Sequence, residues 1–544
     1  MIQNFIALVL VCFSFFGSNA QTFEEVSTEI GLDYIYPGNG FQMAGAGLMV
    51  IDINNDGWED FFQSGGVFDS KLWINEHGIF RDATKEFGLD GLQGYFIQGA
   101  VCLDFNNDGF QDFFIVNYGR GMGMGDKKSP VLLQNIEGKL FKIVKMEGIL
   151  APGDFSSAAL GDFNLDGFVD IYLTNYVATM GVLLDSNGVE VGYKTSCFDN
   201  KLLLNINGSH FKECAQEYGV NDGGCGLSAN FTDVDNDGDL DLLLLNDFGE
   251  WTGEGNKFFR NEYPKKYFSD LSDSAGFNHK MYGMGISTAD YDLDGSLEYY
   301  ITNIGENYLF RFNGKSFENE AKKLGIDATY SYGSTKGTSW SGLFFDVEFD
   351  GDLDLFVSKG NVLTIVPKTA ISDPNLLFLN EDGIFRDVSV SSGVADILSH
   401  HGVIIFDYDH DGDLDIISSV VKLPWAPFAN KEQKLKVYKN NTASKNWIGI
   451  KLIGKGDINR DCFGCKVLFE QDTIQMISQV DGSSGHASQS TRILYFGLNN
   501  AKKLEKLSIY WLNGTTTVLS GLKNGFIYEV SSDGKIKRVK LGFP

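Results

Sequence analysis

The sequence predicts an all-β chain: a seven-bladed β-propeller with acidic turn loops, followed by a small β-rich C-terminal domain. Three observations predict it. An acidic nonapeptide occurs seven times, its copies 52 to 71 residues apart. Each copy sits between apolar runs with hairpin signals, enough for about four short strands per unit. The first residues of the expected mature chain look like a fourth strand without its partners, and the last unit lacks one.

The copies are "DINNDGWED" from Asp52, "DFNNDGFQD" from Asp104, "DFNLDGFVD" from Asp162, "DVDNDGDLD" from Asp233, "DYDLDGSLE" from Asp290, "DVEFDGDLD" from Asp346 and "DYDHDGDLD" from Asp407. Each follows a small or apolar stretch such as "GAVCL" and precedes one such as "FFIVN". Most units continue with two runs around an Asn/Gly turn, as in "LWINEHGIFRDAT", which is a hairpin pattern. Radial stacking of such units protects sheet edges. "TFEEVSTEIGL" resembles the fourth-strand segment "IFRDATKEFGL", and the last unit stops at "LKVYKNN", so an N-terminal strand completes the last blade and closes the ring. An open solenoid would leave both edges exposed.

Of 544 residues, 43% are hydrophobic and 13% aromatic, a composition for packed domains rather than acidic disorder. The formal net charge of −28 argues against nucleic acid as a partner. "MIQNFIALVLVCFSFFGSNA", residues 1–20, reads as a signal peptide cleaved before Gln21, placing the chain in the periplasm, at the cell surface or outside the cell. It lacks Lys and Arg, so an uncleaved anchor is the alternative. No later segment suits a bilayer, and no stable membrane insertion is expected after cleavage. Residues 21–440 form the expected propeller and 441–544 the C-terminal domain. Cys102 lies in an apolar run as a buried thiol. Among Cys197, Cys214 and Cys225 one disulfide is expected, the pair left open. Cys462 and Cys465 form a lone CxxC, read as a local disulfide or as packing rather than as zinc ligands. Sequons start at Asn207, Asn440 and Asn513.

The nonapeptides carry the chemistry. Side-chain oxygens fall at positions 1, 3, 5 and 9, with Gly at 6 for a sharp turn. The ligand sets are Asp52, Asn54, Asp56 and Asp60; Asp104, Asn106, Asp108 and Asp112; Asp162, Asn164, Asp166 and Asp170; Asp233, Asp235, Asp237 and Asp241; Asp290, Asp292, Asp294 and Glu298; Asp346, Glu348, Asp350 and Asp354; Asp407, Asp409, Asp411 and Asp415. Hard oxygen donors on a tight loop, with no ligating His or Cys, suit Ca²⁺. A lone Asp-Gly turn could be an ordinary acidic surface turn, whereas seven copies in register, repelling if nothing offset them, point to metal. Up to seven Ca²⁺ are expected in structural roles, which would halve the net charge of −28. At ~10⁻⁴–10⁻³ M affinity and millimolar calcium, each site is worth ~0.4–1.4 kcal/mol. Seven together give about 3–10 kcal/mol, comparable to a whole domain's stability.

These repeats resemble the FG-GAP/VCBS repeats of integrin α-subunit propellers. "NRDCFGCKV", "VDGSSGHASQSTRILYFGL" and "LSIYWLNGTT" resemble the ASPIC/UnbV domain that follows such repeats in the cartilage acidic protein family. Together the resemblances cover nearly all of the mature chain. Cys462 and Cys465 stand where the family pattern has small or apolar residues, and Glu348 and Glu298 have a different reach from Asp. The resemblance implies secreted calcium-binding proteins, often linked to adhesion or matrix contact. It also implies that the segments leading into the first strands lie opposite the calcium loops. There Tyr34, Tyr36, Tyr95, Phe96, His279, Tyr282, Tyr330, Tyr332, Trp340, His400 and His401 are expected to converge near the axis as a ligand surface, the competing role being to fill the channel between blades. Insertions at 117–131, 176–200 and 359–375 would rim that face. The function expected is a binding or adhesion module for an extracellular glycan, peptide or matrix component. The alternative is a propeller-based enzyme acting on glycans or in secondary metabolism. No GxSxG, HExxH or P-loop occurs, and no catalytic residue is assigned.

Overall fold

The computed structural model describes residues 23–36, 46–118, 128–144, 150, 153–188, 190–329, 337–360, 373–423, 426, 429–442 and 446–539. The expected signal peptide, Tyr330 and Tyr332 lie outside these residues.

Seven four-stranded antiparallel sheets carry the repeats. Blade 1 comprises Leu48–Ile51, Asp60–Gln63, Lys71–Asn75 and Phe80–Asp82. Blade 2 comprises Ile97–Leu103, Asp112–Asn117, Val131–Ile136 and Leu140–Val144. Blade 3 comprises Phe155–Gly161, Asp170–Asn175, Lys201–Ile206 and His210–Glu213. Blade 4 comprises Gly226–Thr232, Asp241–Asn246, Lys257–Asn261 and Phe268–Asp270. Blade 5 comprises Ile286–Ala289, Glu298–Ile301, Tyr308–Phe312 and Phe317–Asn319. Blade 6 comprises Ser339–Phe345, Asp354–Lys359, Leu376–Glu381 and Ile384–Asp387. Blade 7 comprises His400–Phe406, Asp415–Val420, Lys436–Asn440 and, from the N-terminus, Phe23–Glu25.

The first strand of each blade touches that of the next, and blade 7 touches blade 1, so the ring is closed. The N-terminal strand pairs antiparallel with blade 7, Phe23 opposite Asn440 and Glu25 opposite Tyr438. Second strands such as "DFFIVN" are buried on both faces, which is why they read as continuous apolar runs. Aromatic residues pack from blade to blade, as Phe62 on Phe113 with centroids 5.4 Å apart.

Residues 446–539 add two more four-stranded sheets. In one, Asn446–Ile453 lies parallel to Phe526–Ser531. In the other, Lys466–Gln471 lies between Ile474–Gln479 and Lys506–Tyr510. Their apolar faces share one core with blades 2 and 3, in which Cys462 and Cys465 are buried free thiols rather than a disulfide. Cys102 is also a buried free thiol, and the disulfide joins Cys197 to Cys225. It ties the hairpin Val177–Leu184 and Glu190–Cys197 to the start of blade 4. This hairpin links second to third strand in blade 3, which puts it on the face away from the nonapeptide loops.

Candidate metal loops and the filled axis

Every nonapeptide joins the first strand of a blade to its second, and the turn repeats. In blade 1, Asp52 accepts the backbone N–H of Asp56 at 3.1 Å and of Gly57 at 3.2 Å, while Asp56 accepts that of Trp58 at 2.8 Å. Gly57 has φ +90°, a conformation that a Cβ would strain. Position 4 is left-handed in all seven copies: Asn55, Asn107, Leu165, Asn236, Leu293, Phe349 and His410. Asn adopts that conformation readily, whereas Leu and Phe do so at a cost, so the loop dictates the backbone there.

Position 9 opens each second strand, and in every blade but the fifth it bonds to the backbone as well. Asp112 accepts N–H groups from Phe105 at 3.2 Å and Asn135 at 2.7 Å. Asn135 in turn donates to Gln111 O at 3.1 Å in its own blade and to Ile53 O at 2.8 Å in blade 1. The same staple joins Asn75 to Tyr408, Asn205 to Phe105, Asn261 to Phe163, Asn380 to Tyr291 and Asn440 to Val347. Position 9, expected only as a metal ligand, positions the residue that fastens neighbouring blades.

In the loops of blades 4 to 7, donor oxygens of three carboxylates converge. One oxygen from each of Asp233, Asp235 and Asp241 lies within 4.8 Å of the others, as do those of Asp346, Glu348 and Asp354, and of Asp407, Asp409 and Asp415. In blade 5 the converging set is Asp290, Asp292 and Asp294, without Glu298. Blades 1, 2 and 3, with Asn at position 3, offer three carboxylates apiece around the same turn: Asp52, Asp56 and Asp60; Asp104, Asp108 and Asp112; Asp162, Asp166 and Asp170. Burial first, and neighbouring carboxylates second, push Asp162 up to about 7 and hold Asp170, Asp346 and Asp407 well above the usual carboxylate range. Burial likewise raises Asp112 to about 9. Asp170 Oδ2, Asp235 Oδ1 and Asp407 Oδ1 are buried without a hydrogen-bond partner. Hard oxygens crowded together, several of them lacking donors, fit a divalent cation.

The C-terminal domain seats on this face. Arg460 Nε lies 3.2 Å from Asp104, Lys466 Nζ lies 2.9 Å from Asp233, and Ile477 N donates to Asp290 at 2.9 Å. The segment 482–491 then runs into the ring. Gln489 pairs with Met49 and Gly485 with Ile286 as isolated bridges. The Gln489 amide accepts Cys102 N–H at 2.7 Å and donates to Cys102 O at 3.3 Å. Ser483 donates to Ala229 O at 2.9 Å, and His486 N donates to Ser341 at 3.0 Å. Gly47 and Gly99 make room for it: a Cβ on either would meet Ala487 O at 2.2 or 2.5 Å. The axis is filled by the chain's own C-terminal domain.

This filling corrects the expected ligand surface. Tyr36, Phe96, Tyr282, Trp340, His400 and His401 are buried. Trp340 stacks on His401 at 3.9 Å and meets His486 of the inserted segment at 4.7 Å. Tyr36 and Phe96 pack between blades, and His400 bonds to Ser418 at 2.9 Å. Tyr34, Tyr95 and His279 are half-buried and do not converge: Tyr34 leans on Trp73, Tyr95 lies under Lys128, and His279 lies against Tyr308. Inward-facing aromatic residues supply inter-blade packing because gaps between twisted sheets need large side chains.

A family model described as "FG-GAP-like repeat" matches residues 104–173, 233–301 and 290–357, and one described as "ASPIC and UnbV" matches 455–537. The chain is an FG-GAP-repeat protein with a C-terminal ASPIC and UnbV domain. Among curated proteins it is 24% identical over 532 residues to Cartilage acidic protein 1 of Xenopus tropicalis, covering 92% of this chain and 75% of the relative. It is 22% identical to the human protein of that name over 88% of this chain, and spans 62% of that relative's length. Solved structures with a partial likeness include an Agrocybe aegerita lectin that recognises non-reducing terminal N-acetylglucosamine, at 14% identity, TM-score 0.37, and coverage of 64% of this chain and 81% of the lectin. Another is the biofilm matrix protein Bap1 of V. cholerae, at 9% identity, TM-score 0.30, and coverage of 92% and 76%. Among the described residues of this FG-GAP-repeat protein, no helix is long and apolar enough to cross a membrane.

Proposed function

We propose that the chain is an extracellular binding module, a propeller braced by structural calcium that presents the face opposite its calcium loops to a protein or glycan ligand. One observation carries both halves of this reading: the C-terminal domain sits on the loop face and fills the axis. Ions in loops whose carboxylates it contacts hold structure together rather than meet substrate. The opposite face carries the disulfide-tied hairpin, whose Val182, Leu183 and Leu184 are exposed. Exposed apolar side chains on a braced hairpin suit partner recognition. The relatives' name, Cartilage acidic protein, is in keeping with a matrix setting.

The test is a glycan-array and pull-down screen of the mature protein, with and without calcium, beside a variant carrying Val182→Ser, Leu183→Ser and Leu184→Ser. The reading expects a calcium-supported ligand whose capture the triple variant loses while its melting temperature is kept. A ligand retained by that variant and blocked instead by changes on the C-terminal sheets would overturn it.

A further inference from the structure

The seven loops are alike in sequence but differ in what faces them from the third strand. The residue preceding the stapling asparagine is Ile74, Gln134 and Leu204 in blades 1, 2 and 3, where position 3 is Asn54, Asn106 and Asn164. It is Arg260 and Lys439 in blades 4 and 7, where position 3 is Asp235 and Asp409. In blade 5 the equivalent is Arg311, because Tyr299 pairs with Phe310 as Phe61 pairs with Trp73. There position 3 is Asp292, and Phe312 replaces the asparagine. In these three blades a basic residue accompanies the extra carboxylate; blade 6 has Glu348 with Leu379.

Geometry separates the three basic side chains. Arg260 turns to Glu262, its Nε at 3.1 Å, and leaves its loop's carboxylates converging. Lys439 bonds to Asp409 and lies 3.0 Å from Asp411, while positions 1, 3 and 9 of that loop still converge. Arg311 lies within the blade 5 ligand set. Its guanidinium is 2.5 Å from Asp292, contacts Asp294, and is 3.3 Å from Glu298, reaching three of the four expected ligands. Glu298 lies directly opposite Arg311 in the sheet and outside the converging group, which here comprises Asp290, Asp292 and Asp294. The fourth ligand, Asp290, accepts N–H groups from Asp294, Gly295 and Ile477. Asp292 Oδ1 and Glu298 Oε2 keep no partner, each the second oxygen of a carboxylate whose first is on the guanidinium.

A divalent ion needs six to eight oxygens at ~2.3–2.6 Å, and a planar, permanently charged fork across three of them leaves it neither space nor field. We propose that Arg311, which alone among these basic side chains reaches three ligands of one loop, takes the place of the divalent ion in blade 5, so that the chain is built for six calcium ions. The proposal rests on the calcium reading above, and the experiment separates the two.

The experiment is equilibrium dialysis of the full mature chain against about 10 mM Ca²⁺, well above the ~10⁻³ M weak limit of extracellular sites. Bound calcium is then counted by elemental analysis. The wild type is expected to hold six ions. Arg311→Leu, with the residue found in blades 3 and 6, is expected to hold seven. Arg311→Leu with Glu298→Asp rebuilds the pairing of those blades and gives the same count should the single variant fold poorly. Asp166→Asn in blade 3 lowers the count by one, whereas Asp292→Asn in the wild-type background leaves it unchanged. A wild-type count of seven, a count unchanged on removing Arg311, or an ion lost with Asp292→Asn overturns the proposal. A count of zero throughout sinks the calcium reading itself.

Discussion

Replacing Gln489 by alanine tests whether the inserted segment is part of the propeller's own stability. Gln489 is 1% exposed. Its side chain serves both main-chain groups of Cys102 and donates to Gly482 O at 3.3 Å. Truncation leaves Cys102 N–H and C=O on the first strand of blade 2 without those bonds, in a place water does not reach. Each orphaned group costs about 1–3 kcal/mol, and the space left adds to it, so a loss of about 3–5 kcal/mol is expected. Urea denaturation followed by tryptophan fluorescence and far-ultraviolet circular dichroism measures it. Both signals should move together, because segment and ring open as one unit. Lys139→Ala, removing a surface pair with Glu137 in which both side chains are more than 70% exposed, serves as control and should change stability by under about 0.5 kcal/mol. A Gln489→Ala loss below about 1 kcal/mol, or a C-terminal domain that melts first and leaves the ring intact, would refute the reasoning.

Other perturbations give distinct signatures. Asn135→Ala strips bonding partners from Ile53 O, Gln111 O and Gly138 N, and should cost about 2–5 kcal/mol in the same denaturation assay. Burial lowers His486 to about 4, so between there and the unfolded value near 6.5 the unfolded chain binds the extra proton. Stability therefore falls as pH drops through that window, by about 2–4 kcal/mol from this group, and His486→Gln should flatten the slope. Opening Cys197–Cys225 with a double Ser substitution releases a loop spanning 28 residues in sequence and should cost about 3–4 kcal/mol on the loop-entropy model, read as a lower denaturation midpoint.

Much of the architecture was legible because the repeat carries its own punctuation. An acidic Gly turn between two apolar runs defines a strand pair. The orphaned "TFEEVSTEIGL" announced the strand that lies against Lys436–Asn440. The inserted segment was not legible. "DGSSGHASQS" carries no apolar alternation to mark it as core, and its partners are strand edges that exist only once the ring has closed. The aromatic set was misplaced for a related reason: sequence marks where Trp340 and His401 fall relative to strands, not that another domain covers them. Asn75 looked like a simple turn residue, which it also is, accepting Gly78 N–H at 2.7 Å; its bond to blade 7 has no local signature. The role of Arg311 was hidden because its meaning depends on register across a hairpin.

The most direct measurement is thermal unfolding of residues 21–544 during stepwise removal of divalent ions, with bound calcium counted at each step. The account predicts a melting temperature that falls as carboxylate clusters such as Asp407, Asp409 and Asp415 lose their counter-charge, and recovers when calcium returns. An unchanged melting temperature in protein shown to be free of metal would contradict it.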